Sequence, residues 1–145
     1  MKVLNKKQIK RIYEILEEQF GTKDLDLNYV FLQDREDNIY LTNREAFDIE
    51  LKKLKVKKMG IHFGRLINNK IILSIEGSQL VGYKSTKNII ALNDEEVQGY
   101  IHGLKIKKEH LNDLVLVRGQ NNFFGSTKVI DNKLLNNTPK NRRLR

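Results

Sequence analysis

KNIIALNDEEVQGYIHGLKI, residues 87–106, is the stretch on which the reading of the fold turns. The apolar run over 89–92 predicts a short strand. Asn93, followed three residues later by Glu96, is a capping box: the asparagine side chain takes an orphan helix amide and the glutamate returns to the cap's own N–H. Asp94, Glu95 and Glu96 place negative charge at the positive end of that helix, a purpose that needs no catalysis. Gly103, able to adopt the left-handed conformation, ends it.

Downstream, LKIKKEHLND leads into the apolar run LVLVRG over 114–119. A GQNN turn returns into FFGSTKVI over 123–130, Asp131-Asn132 makes a second tight turn, and KLLNN precedes Pro139. Short strands around one helix predict a small, mostly antiparallel barrel. Gly125 lies inside a strand pattern, where glycine permits a bulge or a close backbone approach, either packing or the approach of a nucleic-acid backbone.

Upstream, Asn5 and Gln8 form a capping box that opens a helix ending at Gly21. Ile9, Ile12, Tyr13, Leu16 and Phe20 share its core face. Lys6, Lys7, Lys10 and Arg11 take the remaining, solvated faces. Strands are predicted over 29–32 and 38–41 around the turn DREDN. Thr42 with Glu45 opens a short helix carrying Ala46, Phe47 and Leu51. LKKLKVKKMG, 51–60, reads as a strand with one wet face. GIHFGRLI and KIILSIEG form a hairpin about Asn68-Asn69, residues that tolerate the positive φ of a tight turn. GSQLVGYKSTKN is a polar connection. The expected division is an N-terminal module over 1–76 and a second domain over 77–145, in an α+β fold.

Charge is uneven along the 145 residues, whose net charge is +9. Over 111–145 the cations Arg118, Lys128, Lys133, Lys140, Arg142, Arg143 and Arg145 face only Asp113 and Asp131. A polyanion is the expected partner, since each lysine or arginine near a phosphate releases a condensed counterion. The absence of cysteine excludes disulfides, thiolate zinc sites and cysteine nucleophiles. His62, His102 and His110 are scattered, and no metal motif occurs. No GxGxxG or GxxxxGK[ST] occurs, so nucleotide-dependent catalysis is unsupported. No apolar stretch reaches the ~20 residues of a membrane span, and the first residues lack a signal-peptide core. A cytoplasmic protein without a membrane partner is expected.

KNIIALNDEEVQGYIHGLKI, together with LVLVRGQNNFFGSTKVIDNKLLNNTPKNRR, resembles the PUA-type RNA-binding domain that ends many RNA methyltransferases acting on carbon five of cytosine. It also resembles the domain in small archaeal ribosome-biogenesis proteins of the pre-PUA plus PUA kind. The matching positions are Lys87, Asn88, Asp94 to Glu96, Gly103, Gly125, Lys128, Leu134, Asn136, Pro139 and Lys140. Thr127 stands where a second glycine is usual, and Leu135 replaces a lysine. HFGRLINNKIILS is similar to the strand pair just upstream in the family. The resemblance implies an N-terminal pre-PUA-like α/β module followed by a small mixed barrel with one main helix. Those methyltransferases use a catalytic cysteine and bind S-adenosylmethionine on a Rossmann-like domain. This chain has no cysteine and, at this length, no room for that domain.

Three functions stay open. The first is a non-catalytic, cofactor-free RNA-binding protein that recognises ribosomal or transfer RNA in RNA modification or ribosome biogenesis, alongside a separate methyltransferase or a ribosome-assembly factor. Its candidate contacts are Lys84, Lys87, Arg118, Asn121, Asn122, Lys128, Lys133, Lys140, Arg142 and Arg143, arginine being suited to bidentate phosphate contacts. Few aromatics look free for stacking, so shape and phosphate are expected to dominate. The second is a protein-interaction adaptor built on the N-terminal module. The third is a metal-dependent RNA-processing enzyme using Asp24 and Asp26.

Overall fold

The computed structural model describes residues 1–52, 60–109 and 114–135, apart from the side chains of 49–52. Its first sheet is built from β1 (Lys2–Val3), β2 (Val30–Gln33), β3 (Asn38–Thr42), β4 (Ile61–Ile67) and β5 (Lys70–Leu73), antiparallel and in sequence order. The helices α1 (Lys6–Phe20) and α2 (Arg44–Lys52) interrupt it. Then come α3 (Ile75–Val81), a 3-10 turn at Gly82–Lys84, β6 (Ile89–Leu92), α4 (Asp94–Ile101), β7 (Ile106–Lys107), β8 (Leu114–Gly119), β9 (Asn122–Ile130) and β10 (Lys133–Leu134). The second sheet runs β6-β8-β9-β10-β7, with only β6 and β8 parallel. The fold is α+β with two sheets, one of them curled into a half-barrel.

Local chemistry sets the element ends. In α1 the Asn5 side chain accepts from the Gln8 amide and the Gln8 side chain from the Asn5 amide, both at 2.9 Å, and Gly21 closes the helix at φ 63°. Ile12, Ile15, Leu16 and Phe20 are buried, so the core stripe includes Ile15 beyond the residues read from periodicity, while Ile9 and Tyr13 are half-buried. Asn68 and Asn69 sit at φ 50° and 63°, as a two-residue hairpin between β4 and β5 requires.

Three expectations are corrected. Asn43, not Thr42, caps α2, its side chain accepting from the Ala46 amide at 2.7 Å. Thr42 is still paired with Val30 in the sheet, so the chain turns one residue later. The strand after Asn69 stops at Leu73, because the Ser74 side chain accepts from the Gly77 amide at 2.9 Å and starts α3. What reads as a polar connection over 77–88 is therefore helical as far as Lys84, first in α3 and then in the 3-10 turn. Leu51 and Lys52 belong to α2 rather than to a strand; 53–59 of that expected strand lie outside the described residues.

β8 joins two cores through its alternation of faces. Leu114 and Leu116 pack with Leu16, Phe20, Phe31, Phe63, Ile71 and Val81, on the side of α1 and the first sheet. Val115 and Val117 point the other way, to Ile90, Leu92, Val97, Tyr100 and Leu134. Burial of each such side chain contributes about 1.5–3 kcal/mol. Hydrogen bonds reinforce the junction. The Leu73 amide donates to Ser126 Oγ at 2.7 Å, the Gly125 amide to Ser78 Oγ at 2.8 Å, and Asn88 Nδ2 to the Gln19 carbonyl at 2.5 Å. Asn88 adopts φ 57° there, and the amides of Thr86 and Lys87 both donate to the Phe20 carbonyl. The Lys-Asn pair thus ties the end of α1 to the start of β6.

Candidate nucleic-acid interface

The expected basic residues of the described chain fall near both ends of β9, on β9 itself and on the strands that pair with it. The nine residues of β9 extend roughly 30 Å at ~3.3 Å per residue, so the ends form separate patches. The first patch surrounds the β8–β9 turn, where Gln120 and Asn121 hold φ 52° and 61°. Arg118 pairs with Phe123 across the turn and with Ala91 of β6 on its other side. Arg118, Asn121 and Asn122 are exposed.

Phe123 brings a further element to this patch. Its ring lies over Gly82, where even a Cβ would come within 2.5 Å of ring carbons, so the 3-10 turn sits against the hairpin only because that residue is glycine. Tyr83 follows and is 69% exposed. Among the described residues Tyr83 is the one exposed aromatic, in keeping with the expectation that few are free for stacking, and it stands beside the Arg118 hairpin. It falls outside every apolar periodicity in the sequence, and an aromatic in a polar segment was the signal available. Lys84, next in the chain, is half-buried and donates through Nζ to the Asp24 carbonyl. Lys87 is exposed at the start of β6, with its side chain beside Gly21 rather than at the hairpin.

The second patch lies at the far end of β9. Lys133 pairs with Ile130 on one side and Lys107 on the other, so three strands place Ile130, Lys133 and Lys107 in one row. Lys128 is two residues from Ile130 and shares its face. All four are exposed, Ile130 to 49%. Lys107 was not singled out from sequence, because only the β7–β10 pairing, which joins residues far apart in the chain, puts it there. Lys108, its neighbour, is occupied at 3.1 Å by Glu96. Partial burial opposes ionisation of Glu96, but the Asn93 amide and the Lys108 ammonium outweigh it and hold the carboxyl below its ordinary value.

The remaining expected positions do other work or fall elsewhere. Gly125 is buried at φ 88°, and a Cβ there would lie 3.1 Å from the Leu73 carbonyl. The backbone that approaches it is β5, so a nucleic-acid strand has no access. Thr127 is fully buried and donates its hydroxyl to the Leu135 carbonyl, pinning the chain after β10. Lys140, Arg142 and Arg143, with Asn136, Pro139 and Arg145, lie outside the described residues, as do His110 and Asp113. His62 lies against Asn38 and Tyr40, and His102 against the Gln98 carbonyl. Asp24 and Asp26 are exposed, and among the described residues no three histidine or acidic side chains gather to hold a metal ion. Nor is any helix among them long and apolar enough to cross a membrane.

Comparison with known families gives one match. Residues 87–144 match the family described as the methyltransferase RsmF PUA domain. The match supports a PUA-type domain in this part of the chain, resembling the C-terminal domain of RNA cytosine methyltransferases. It opens at the Lys-Asn pair and spans β6, α4 and β7 to β10, leaving the first sheet outside it. No curated protein matches the chain.

Proposed function

We propose that the chain is a non-catalytic RNA-binding protein, its second half (77–145) contacting structured ribosomal or transfer RNA and its first (1–76) serving as a pre-PUA-like module. The PUA match suggests RNA binding. The observation that carries the reading is coincidence: the exposed Lys107–Lys133–Lys128 row lies within the matched segment. Phosphates would be met by the lysine row and by Arg118, with Tyr83 available as a stacking surface. Recognition would serve RNA modification or ribosome assembly in the cytoplasm, with a separately encoded methyltransferase as the enzyme partner. Fluorescence anisotropy with labelled ribosomal and transfer RNA fragments tests the reading. Binding that prefers RNA to matched duplex DNA and weakens when Lys107, Lys128 and Lys133 are reversed to glutamate supports it.

A groove on the first sheet favours a second reading, the protein-interaction adaptor. It has a volume of about 390 Å³, a floor of Leu4, Ile12, Ile15 and Leu66, and a rim that includes Arg11, Gln33 and Asp37. Capture of a protein partner that survives lysine reversal and is lost on Ile12→Glu would favour it over RNA binding.

A further inference from the structure

Where the β4–β5 turn meets β9, a second cavity opens at the seam between the two sheets. Its volume is about 160 Å³, and Ile67, Ile72, Leu114, Asn68, Lys70 and Lys128 line it. Leu114 is buried and the isoleucines are half-buried, whereas Asn68 and both lysines are exposed. The inner end is therefore apolar and the mouth polar and cationic. The two lysines come from different sheets. Lys70 faces Ile67 across the β4–β5 hairpin, and Lys128 faces Leu114 across the β8–β9 ladder.

Size and chemistry restrict what fits. An apolar cavity of about 150 Å³ accommodates a benzene-sized ring, while drug-sized ligands need roughly 300 Å³ or more. One six-membered ring fits, and a fused bicyclic ring does not. The floor suits a ring face, and the Asn68 amide at the mouth has both donor and acceptor for a polar ring edge. The exposed Lys128 beside so small a cavity suits a ring that carries an anionic group. Lys128 also begins the row that continues to Lys133 and Lys107, so a polyanion lying on that row passes the mouth.

We infer that this seam pocket receives the pyrimidine ring of one unpaired nucleotide in a bound RNA, with the charge of Lys128 facing a flanking phosphate. The inference rests on the RNA-binding reading and adds to it the feature selected: a bulged or looped-out pyrimidine in place of an unbroken duplex.

Three hairpin RNAs identical except for no bulge, a single bulged uridine or a single bulged adenosine provide the test with the full chain. Base stacking of the usual strength makes the uridine bulge bind about tenfold tighter than the bulge-free hairpin, and the adenosine bulge gains much less. Ile72→Trp fills the cavity and brings the uridine-bulge affinity down to that of the bulge-free RNA, which itself is unchanged. Ile67→Trp, at the rim of the same cavity, repeats the measurement if circular dichroism shows Ile72→Trp to be unfolded. A 5-fluorouridine in the bulge reports directly: its fluorine resonance shifts on the unsubstituted protein and stays near its free position with the tryptophan variant. Equal affinity for all three RNAs overturns the pocket and leaves RNA binding standing. Retention of the uridine preference by the tryptophan variants also overturns the pocket. Failure to bind any of the three overturns both.

Discussion

Gly125 and Thr127, two residues apart on β9, are both held by neighbouring backbone. Gly125→Ala forces a side chain into φ 88° and against the Leu73 carbonyl, and costs about 1–2 kcal/mol from the left-handed backbone alone. Urea denaturation measures it as a lower midpoint at unchanged slope. Thr127→Val keeps the volume but leaves the Leu135 carbonyl without its hydroxyl donor, a loss of about 1–3 kcal/mol, while Thr127→Ser retains most of the stability. That position 125 needs glycine is legible in the sequence, since a glycine inside a strand pattern marks a bulge or a close backbone approach. What approaches it is not, because β5 is more than fifty positions away in the chain. The same distance hides the role of Thr127: a threonine in place of a glycine reads as a departure until the carbonyl it binds is seen.

At the scale of elements, the ends of helices follow from the sequence where the chemistry is local. Asn5 with Gln8 and Asn93 with Glu96 each close a box within four residues, and both boxes form. The start of α3 is hidden because Ser74 follows an apolar strand without a break, and a seven-residue helix has too few turns to establish its own periodicity. The lysine row is hidden for a different reason: the two-residue strands β7 and β10 carry almost no local signal, yet their pairing places Lys107 beside Lys133. The α4 box also sets a pH dependence. Because the folded state holds Glu96 below its ordinary value, its contribution is complete above the ordinary glutamate pKa of ~4.3 and is lost as pH falls through the lower folded value. Glu96→Gln removes that part of the acid destabilisation, so thermal melts of the variant and the unsubstituted chain converge as the pH is lowered. If α4 were unaffected by the charge, the two melting curves would keep a constant separation from pH 6 downward.

For the molecule as a whole, β8 matters most, because its two faces belong to two cores and so couple the sheets. Leu116→Ala removes a fully buried side chain from the shared core and costs about 2–5 kcal/mol, with both sheets lost in one transition that circular dichroism and hydrogen exchange record together. That coupling fixes the hairpin patch of Arg118 and Tyr83 and the lysine row at opposite ends of one rigid strand pair. An RNA that touches both must span them, which favours a folded RNA over a short single strand.

The salt dependence of RNA binding is the most direct measurement of the central claim. Dissociation constants for a structured ribosomal or transfer RNA fragment, taken across a salt series with matched duplex DNA as control, give a linear log–log plot whose slope counts the phosphates neutralised. Binding that prefers RNA, with a slope reduced by about three units in the Lys107→Glu, Lys128→Glu, Lys133→Glu triple variant, is the predicted result. Equal, weak binding of RNA and DNA with a slope that the triple variant leaves unchanged would contradict it.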